Sequence, residues 1–140
     1  ATTEIYTLSL HDALPIWCEP YEAVILDGSG LSSNNNISAL MTVRLLVHMY
    51  NSSVSEDFIS SLPMGAVSGT MKNYFRDEMF KGRVVAKTGT ITSAKSFAGY
   101  FTTNSGRKIA FTTIANGFTV PSRKITDNME RVVREIMIKY

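Results

Sequence analysis

The feature that most constrains this chain is a change of texture at residue 83. Upstream, apolar residues recur at helical spacing. From there on, residues 83–88, 96–103 and 108–115 are β-branched, aromatic or alternating, which predicts three strands. Asn104-Ser105-Gly106 separates the last two and reads as a hairpin turn, and Asn116-Gly117 closes the third. Pro121-Ser122 then leads into a helix predicted over 123–139, whose apolar face is Ile125, Met129, Val132, Val133, Ile136, Met137 and Tyr140. Glu130–Arg134 and Glu135–Lys139 on that helix are spaced as i,i+4 ion pairs. Helices followed by a three-stranded antiparallel sheet and a C-terminal covering helix make an α+β pattern. Three strands are few for a whole domain, so the pattern fits part of a larger one.

Upstream of the change, residues 21–26 read as a short strand and Asp27-Gly28-Ser29-Gly30 as a turn. Residues 32–36 form a polar loop in which Asn35 or Asn36 is the expected N-cap of a helix over 37–50. Ile37, Leu40, Met41, Leu45 and Met49 share one face of that helix. Val43, Leu46 and Val47 widen the face, which predicts a mostly buried helix. Residues 56–62 suggest a short helix stopped by Pro63, and residues 70–80 a third, before Lys81-Gly82 turns the chain.

Composition narrows the function classes. The 140 residues suit one domain, and 44% hydrophobic with 19% charged residues is globular rather than disordered. No apolar run approaches the ~18 residues of a membrane helix. The single cysteine, Cys18, excludes an internal disulfide framework and a cysteine-only zinc site. A net charge of +2 makes no electrostatic case for nucleic acid.

Residues 1–16, ATTEIYTLSLHDALPI, resemble a common short-read sequencing adapter translated in one frame, matching it in order. They are set aside from fold reasoning as a scar would be. Residues 17–140 are then the expected coding sequence, cut at its 5′ side, so the lack of a signal peptide is no argument for a cytoplasmic protein.

Three short patterns could carry chemistry. Lys87-Thr88-Gly89-Thr90 falls at the end of a predicted strand. There a lysine presents a fixed cation, and a glycine leaves room for a substrate along the strand edge. Threonine hydroxyls can bind a carboxylate, and a backbone N–H can face a developing oxyanion. By itself it also reads as a lysine before an ordinary turn. Ser32-Ser33-Asn34 is an instance of Ser-x-Asn, a proton-passing hydroxyl beside an amide that can hold a peptide. In a loop this polar it equally reads as a helix cap. Ser105-Gly106-Arg107-Lys108 is formally Ser-x-x-Lys, but across a hairpin turn the two side chains would not be held facing each other, so it reads as a turn. His48, within an apolar helix, reads as structural, and the adjacent Asp77 and Glu78 point apart on a helix and read as surface residues.

Asp27-Gly28-Ser29-Gly30-Leu31-Ser32 and Asn34, followed by Lys87-Thr88-Gly89-Thr90 and the string 97–106, FAGYFTTNSG, together resemble the D-alanyl-D-alanine carboxypeptidase/endopeptidase family. These are low-molecular-mass class C penicillin-binding proteins with the serine β-lactamase/transpeptidase fold. The resemblance covers residues 22–140 and implies a partial fold of that type. It also implies a serine hydrolase that cleaves the D-Ala-D-Ala bond or a peptide crosslink of peptidoglycan through an acyl-serine intermediate, and that binds β-lactams. Carried over, Ser32 would relay a proton and Asn34 would hold the acyl-side peptide. Lys87 would orient the proton network, and Thr88, Gly89 and Thr90 would meet the terminal carboxylate, with the Thr90 N–H as half of an oxyanion hole. Ser33 and Asn35 also fit Ser-x-Asn, leaving that register open by one. The nucleophilic Ser-x-x-Lys is absent from this sequence, and the chain alone is expected to be inactive. The intact bacterial parent is expected in the periplasm or otherwise outside the cytoplasm. No metal or organic cofactor is implied. A β-lactamase-like hydrolase and a non-catalytic binding module of the same fold are the alternatives.

Overall fold

The computed structural model describes residues 23–140; the adapter-like run 1–16 and Cys18 lie outside the described residues. Strand β1 (Ala23–Val24) pairs antiparallel with β2 (Asn36–Ile37) across the glycine-containing loop between them. Helices α1 (Ala39–Tyr50) and α2 (Ser55–Ser61) follow. Then come two 3₁₀ turns (Gly69–Met71 and Glu78–Phe80), strands β3 (Val84–Ile91), β4 (Ala94–Thr102) and β5 (Lys108–Asn116), and helix α3 (Ser122–Lys139). The three long strands form one antiparallel sheet in the order β3-β4-β5, as the sequence pattern predicts, with α3 covering it.

The sheet divides its side chains by strict alternation. One face carries Val84 and Ala86 of β3, Phe97 and Phe101 of β4 and Phe111 of β5. These pack with Met129, Val133 and Met137 of α3 and with Met71, Phe75 and Phe80 into a single core. Phe75 is its hub: its ring lies 5.2 Å from Phe80 and 5.2 Å from Phe97 in edge-to-face contact. On the opposite face α1 docks against β4 and β5. Tyr100 Oη, buried, donates to the Leu46 carbonyl at 2.6 Å.

Four expectations are corrected. Helix α1 starts after residue 38, capped by Ser38, whose Oγ accepts from the Met41 N–H at 2.9 Å. Asn36 and Ile37 are drawn instead into pairing with β1, a tertiary demand that no cap propensity reveals. The same helix is only half covered: Met41 and Leu46 are buried, whereas Leu40 and Val47 are 55% and 46% exposed. The helix expected over residues 70–80 is absent. Phe75 takes a left-handed backbone (φ 54°), which ends helical propagation, and its complete burial among aromatic rings outweighs the ~1–2 kcal/mol that such a conformation costs. Last, Arg134 pairs with Asp77 at 2.8 Å rather than with Glu130. Glu130 accepts the backbone N–H of Phe75 at 2.8 Å.

The other punctuation holds. Gly106 (φ 84°) makes the turn after β4, and Gly117 (φ 64°) follows the end of β5. The formal Ser-x-x-Lys lies across that first turn. Ser105 Oγ lies 3.0 Å from Thr103 Oγ1, while the Lys108 ammonium sits over the Tyr50 ring at 5.7 Å.

Candidate functional site

β3 is an edge strand, and it runs further than its sequence suggests. Lys87, Thr88, Gly89 and Thr90 pair with Ala98, Phe97, Ser96 and Lys95 of β4, and a two-residue turn at Thr92-Ser93 closes the hairpin. The Lys-Thr-Gly-Thr string is therefore inside a strand rather than at its end. Gly89 has no strand propensity of its own, whereas the β-branched Thr88, Thr90 and Ile91 favour extension, and the β4 ladder carries the strand through the glycine. Directly opposed residues share a sheet face. Lys87, Gly89 and Ser96 thus lie on the α1 face, while Thr88 and Thr90 alternate toward Phe97 and Lys95.

Opposite this end of the sheet stands the loop 27–35. Asp27 organises it: its carboxylate accepts from the N–H groups of Gly30 and Ser32, both at 2.9 Å, and from Asn35 Nδ2 at 3.0 Å. Burial works to raise the Asp27 pKa, but hydrogen bonds from Asn35, Gly30, Ser32 and Ser29 outweigh it and hold the carboxyl below its usual range. Asn35 is fully engaged as well. Its Oδ1 accepts from the N–H groups of Leu26 (2.8 Å) and Asp27 (3.3 Å), so it clamps the loop onto β1.

Between loop and sheet lies a cleft of about 540 Å³ whose walls include Asp27, Ser32 and Asn36 on one side and Gly89, Thr90 and Ser96 on the other. A larger groove, lined by Arg107, Ile109, Ile136 and Tyr140, opens at the far end of the sheet and contains none of the motif residues.

The structure thus brings Ser32, Gly89 and Thr90 to one cleft. It does not bring Asn34, Lys87 or Thr88 to its walls. Asn34 is exposed, and its N–H donates to Ser32 Oγ at 3.2 Å in a local turn. Lys87 is exposed on the cleft's side of the sheet, its ammonium donating to the Thr88 carbonyl at 2.6 Å. Of the two Ser-x-Asn registers, the one ending at Asn35 has its amide committed to loop structure. Ser96 is the cleft residue that sequence reasoning missed. Its only signal is its place opposite Gly89, which becomes visible once the β3–β4 register is known. Lys95, beside it, is 5% exposed and donates to Tyr74 Oη at 3.1 Å, with its ammonium 4.7 Å above the Tyr74 ring. Among the described residues no group of three or more His, Cys, Asp or Glu could hold a metal, and no helix is long and apolar enough to cross a membrane.

The fold superposes on those of solved penicillin-binding proteins and peptidoglycan endopeptidases. Penicillin-binding protein 4 of Haemophilus influenzae, solved with a β-lactam, superposes with a TM-score of 0.78 at 21% identity, over 84% of this chain and 29% of that one. A predatory endopeptidase of Bdellovibrio bacteriovorus, acylated by penicillin G, superposes at 0.72 and 19% identity, over 90% and 37%. The sequence model of the D-Ala-D-Ala carboxypeptidase 3 (S13) family matches residues 18–136, and the chain belongs to that family. Similar proteins include penicillin-sensitive carboxypeptidase A of Dictyostelium discoideum, 32% identical over 77% of this chain. The D-alanyl-D-alanine carboxypeptidase of an Actinomadura strain is 34% identical over 71%. The chain spans 22% and 19% of the lengths of those two relatives.

Proposed function

We propose that this chain supplies the Lys-Thr-Gly wall of a serine-type D-Ala-D-Ala carboxypeptidase/endopeptidase. Such an enzyme acts on peptidoglycan stem peptides outside the cytoplasm and is acylated by β-lactams. The observation that carries the reading is the coincidence of a family match over 18–136 with Lys87-Thr88-Gly89-Thr90 on an open sheet edge beside a cleft. An edge strand offers unpaired backbone donors and acceptors, so a peptide can lie along it as an added strand. The Lys87 ammonium draws the terminal carboxylate to that edge, where Thr90 borders the cleft and can receive it. The Thr90 N–H is the oxyanion donor in this reading. Ser32 faces the wall across the cleft as the proton-passing hydroxyl. A peptide-holding role for Asn34 finds no support in its exposed position.

The nucleophile belongs elsewhere in this reading, because the one formal Ser-x-x-Lys among the described residues lies across a turn with its side chains apart. Residues 1–16 are read as translated adapter, in keeping with a family match that begins at residue 18. Two measurements test the proposal. A fluorescent penicillin should leave no covalent label on the chain; a stoichiometric adduct would refute the assignment of the nucleophile. N-acetyl-D-Ala-D-Ala should shift the amide resonances of Gly89 and Thr90 saturably, and Lys87→Ala should weaken that binding at least tenfold. Equal response to the L,L-dipeptide, or none to either, overturns the reading.

A further inference from the structure

We propose that Ser96 is a further ligand-binding residue of this cleft, its hydroxyl donating to a carboxylate or amide oxygen of a peptide laid along Lys87–Thr90. The inference rests on the reading of β3 as the ligand-bearing edge and adds to it a side chain from the neighbouring strand. Three observations converge on Ser96.

The register sets Ser96 directly opposite Gly89, on the same sheet face as Lys87. The hydroxyls of Thr88 and Thr90 alternate toward the other face. Ser96 is therefore the hydroxyl on the Lys87 face of this hairpin end.

The second observation concerns why residue 89 is glycine. A Cβ there would stand 2.5 Å from Ser96 Oγ. The space that glycine leaves is filled by the Ser96 hydroxyl. Gly89 and Ser96 are a matched pair, and the pair presents a hydroxyl where a side chain on β3 would otherwise present a methyl group.

The third is hydrogen bonding. Ser32 Oγ and the Asn35 amide, across the cleft, are engaged within their own loop. Ser96 Oγ is half-buried, borders the cleft and makes no hydrogen bond to the protein. A cleft hydroxyl that no protein group engages can donate to a ligand oxygen in exchange for water, at no cost in internal hydrogen bonds.

The test uses the full chain and N-acetyl-D-Ala-D-Ala, followed by amide NMR. Ser96→Ala should weaken binding about fivefold to tenfold with no loss of thermal stability, and Ser96→Thr, which keeps the hydroxyl, should recover most of it. In parallel, Gly89→Ala should lower the melting temperature, and Gly89→Ala with Ser96→Gly should restore more than half of the loss. Unchanged affinity in Ser96→Ala, with the wild type binding and Lys87→Ala impaired, refutes the role of Ser96 and leaves the proposed function standing. Absence of saturable binding by the wild type refutes both. Failure of the second substitution to rescue Gly89→Ala refutes the pairing.

Discussion

Gly99 sits in the middle of β4, opposite Ala86 of β3 and Phe111 of β5. A Cβ at this position would lie 2.1 Å from the Val85 carbonyl oxygen and 2.6 Å from Ala86 Cα. Carbon contacts are comfortable at about 3.5 Å, so relief needs a local movement of about 1 Å or more. The atoms struck are backbone atoms of the adjacent strand, and no rotamer change can move them. Overpacking of a filled core costs about 1–3 kcal/mol. Gly99→Ala belongs at the upper end, about 3 kcal/mol, because Ala86 is fully buried and backed by the core. At roughly 3–5 °C per kcal/mol for a chain of this length, the melting temperature should fall by about 10 °C or more. Thermal unfolding by circular dichroism measures it, with Gly82→Ala as the reference. Gly82 has φ +69° and nothing within 4 Å of an added Cβ, so that substitution costs only the left-handed backbone, about 1–2 kcal/mol. Because the displaced strand carries Lys87 to Thr90, the Gly99 variant should also shift the amide resonances of Lys87, Thr88 and Gly89. A Gly99→Ala chain that melts no lower than Gly82→Ala would refute the register on which the cleft is built.

Three other outcomes follow from the contacts. Burial raises the Glu130 pKa, with the Phe75 N–H opposing it. A carboxyl raised in the fold contributes stability below its ordinary value and loses that contribution as pH rises through the folded value. Glu130→Gln, which keeps the acceptor for Phe75, should therefore be neutral or stabilising at pH 7, with the difference vanishing near pH 4. Glu130→Ala should cost about 1–3 kcal/mol, read by urea unfolding, because it orphans that N–H. The Arg134 hydrogen bond, helped by the Met79 N–H, lowers the Asp77 pKa. Its contribution is present above the ordinary value and is lost as pH falls through the lowered one. In Arg134→Gln a carboxyl NMR titration should find Asp77 moved back toward its ordinary value. Tyr100→Phe removes the bond to the Leu46 carbonyl and should cost about 1 kcal/mol, with hydrogen exchange faster in α1 than in α3.

The match between expectation and structure follows a physical division. The strands of the meander, the turn at Gly106 and helix α3 were legible because each is decided locally. Alternation, a glycine with positive φ and a three-four apolar spacing all act within a few residues. The region 70–80 was illegible because Phe75 is placed by three aromatic partners, two of them (Phe97 and Phe111) distant in sequence, and their burial overrides helical spacing. The start of α1 was illegible because β1 claims Asn36 and Ile37. At the site, the string Lys87 to Thr90 was conspicuous as residues, but its extension as a strand depends on β4.

The residues by themselves determined the α+β order, the antiparallel meander, the covering helix and the family, since these rest on local periodicity and on motif identity. Tertiary structure alone decided what faces what. It separated Lys87 from the walls of the cleft, committed Asn35 to the Asp27 loop and set Ser96 against Gly89. Those relations arise from strand register and loop docking. Register is fixed by burial summed over both faces of the sheet, and no short stretch of sequence contains that sum.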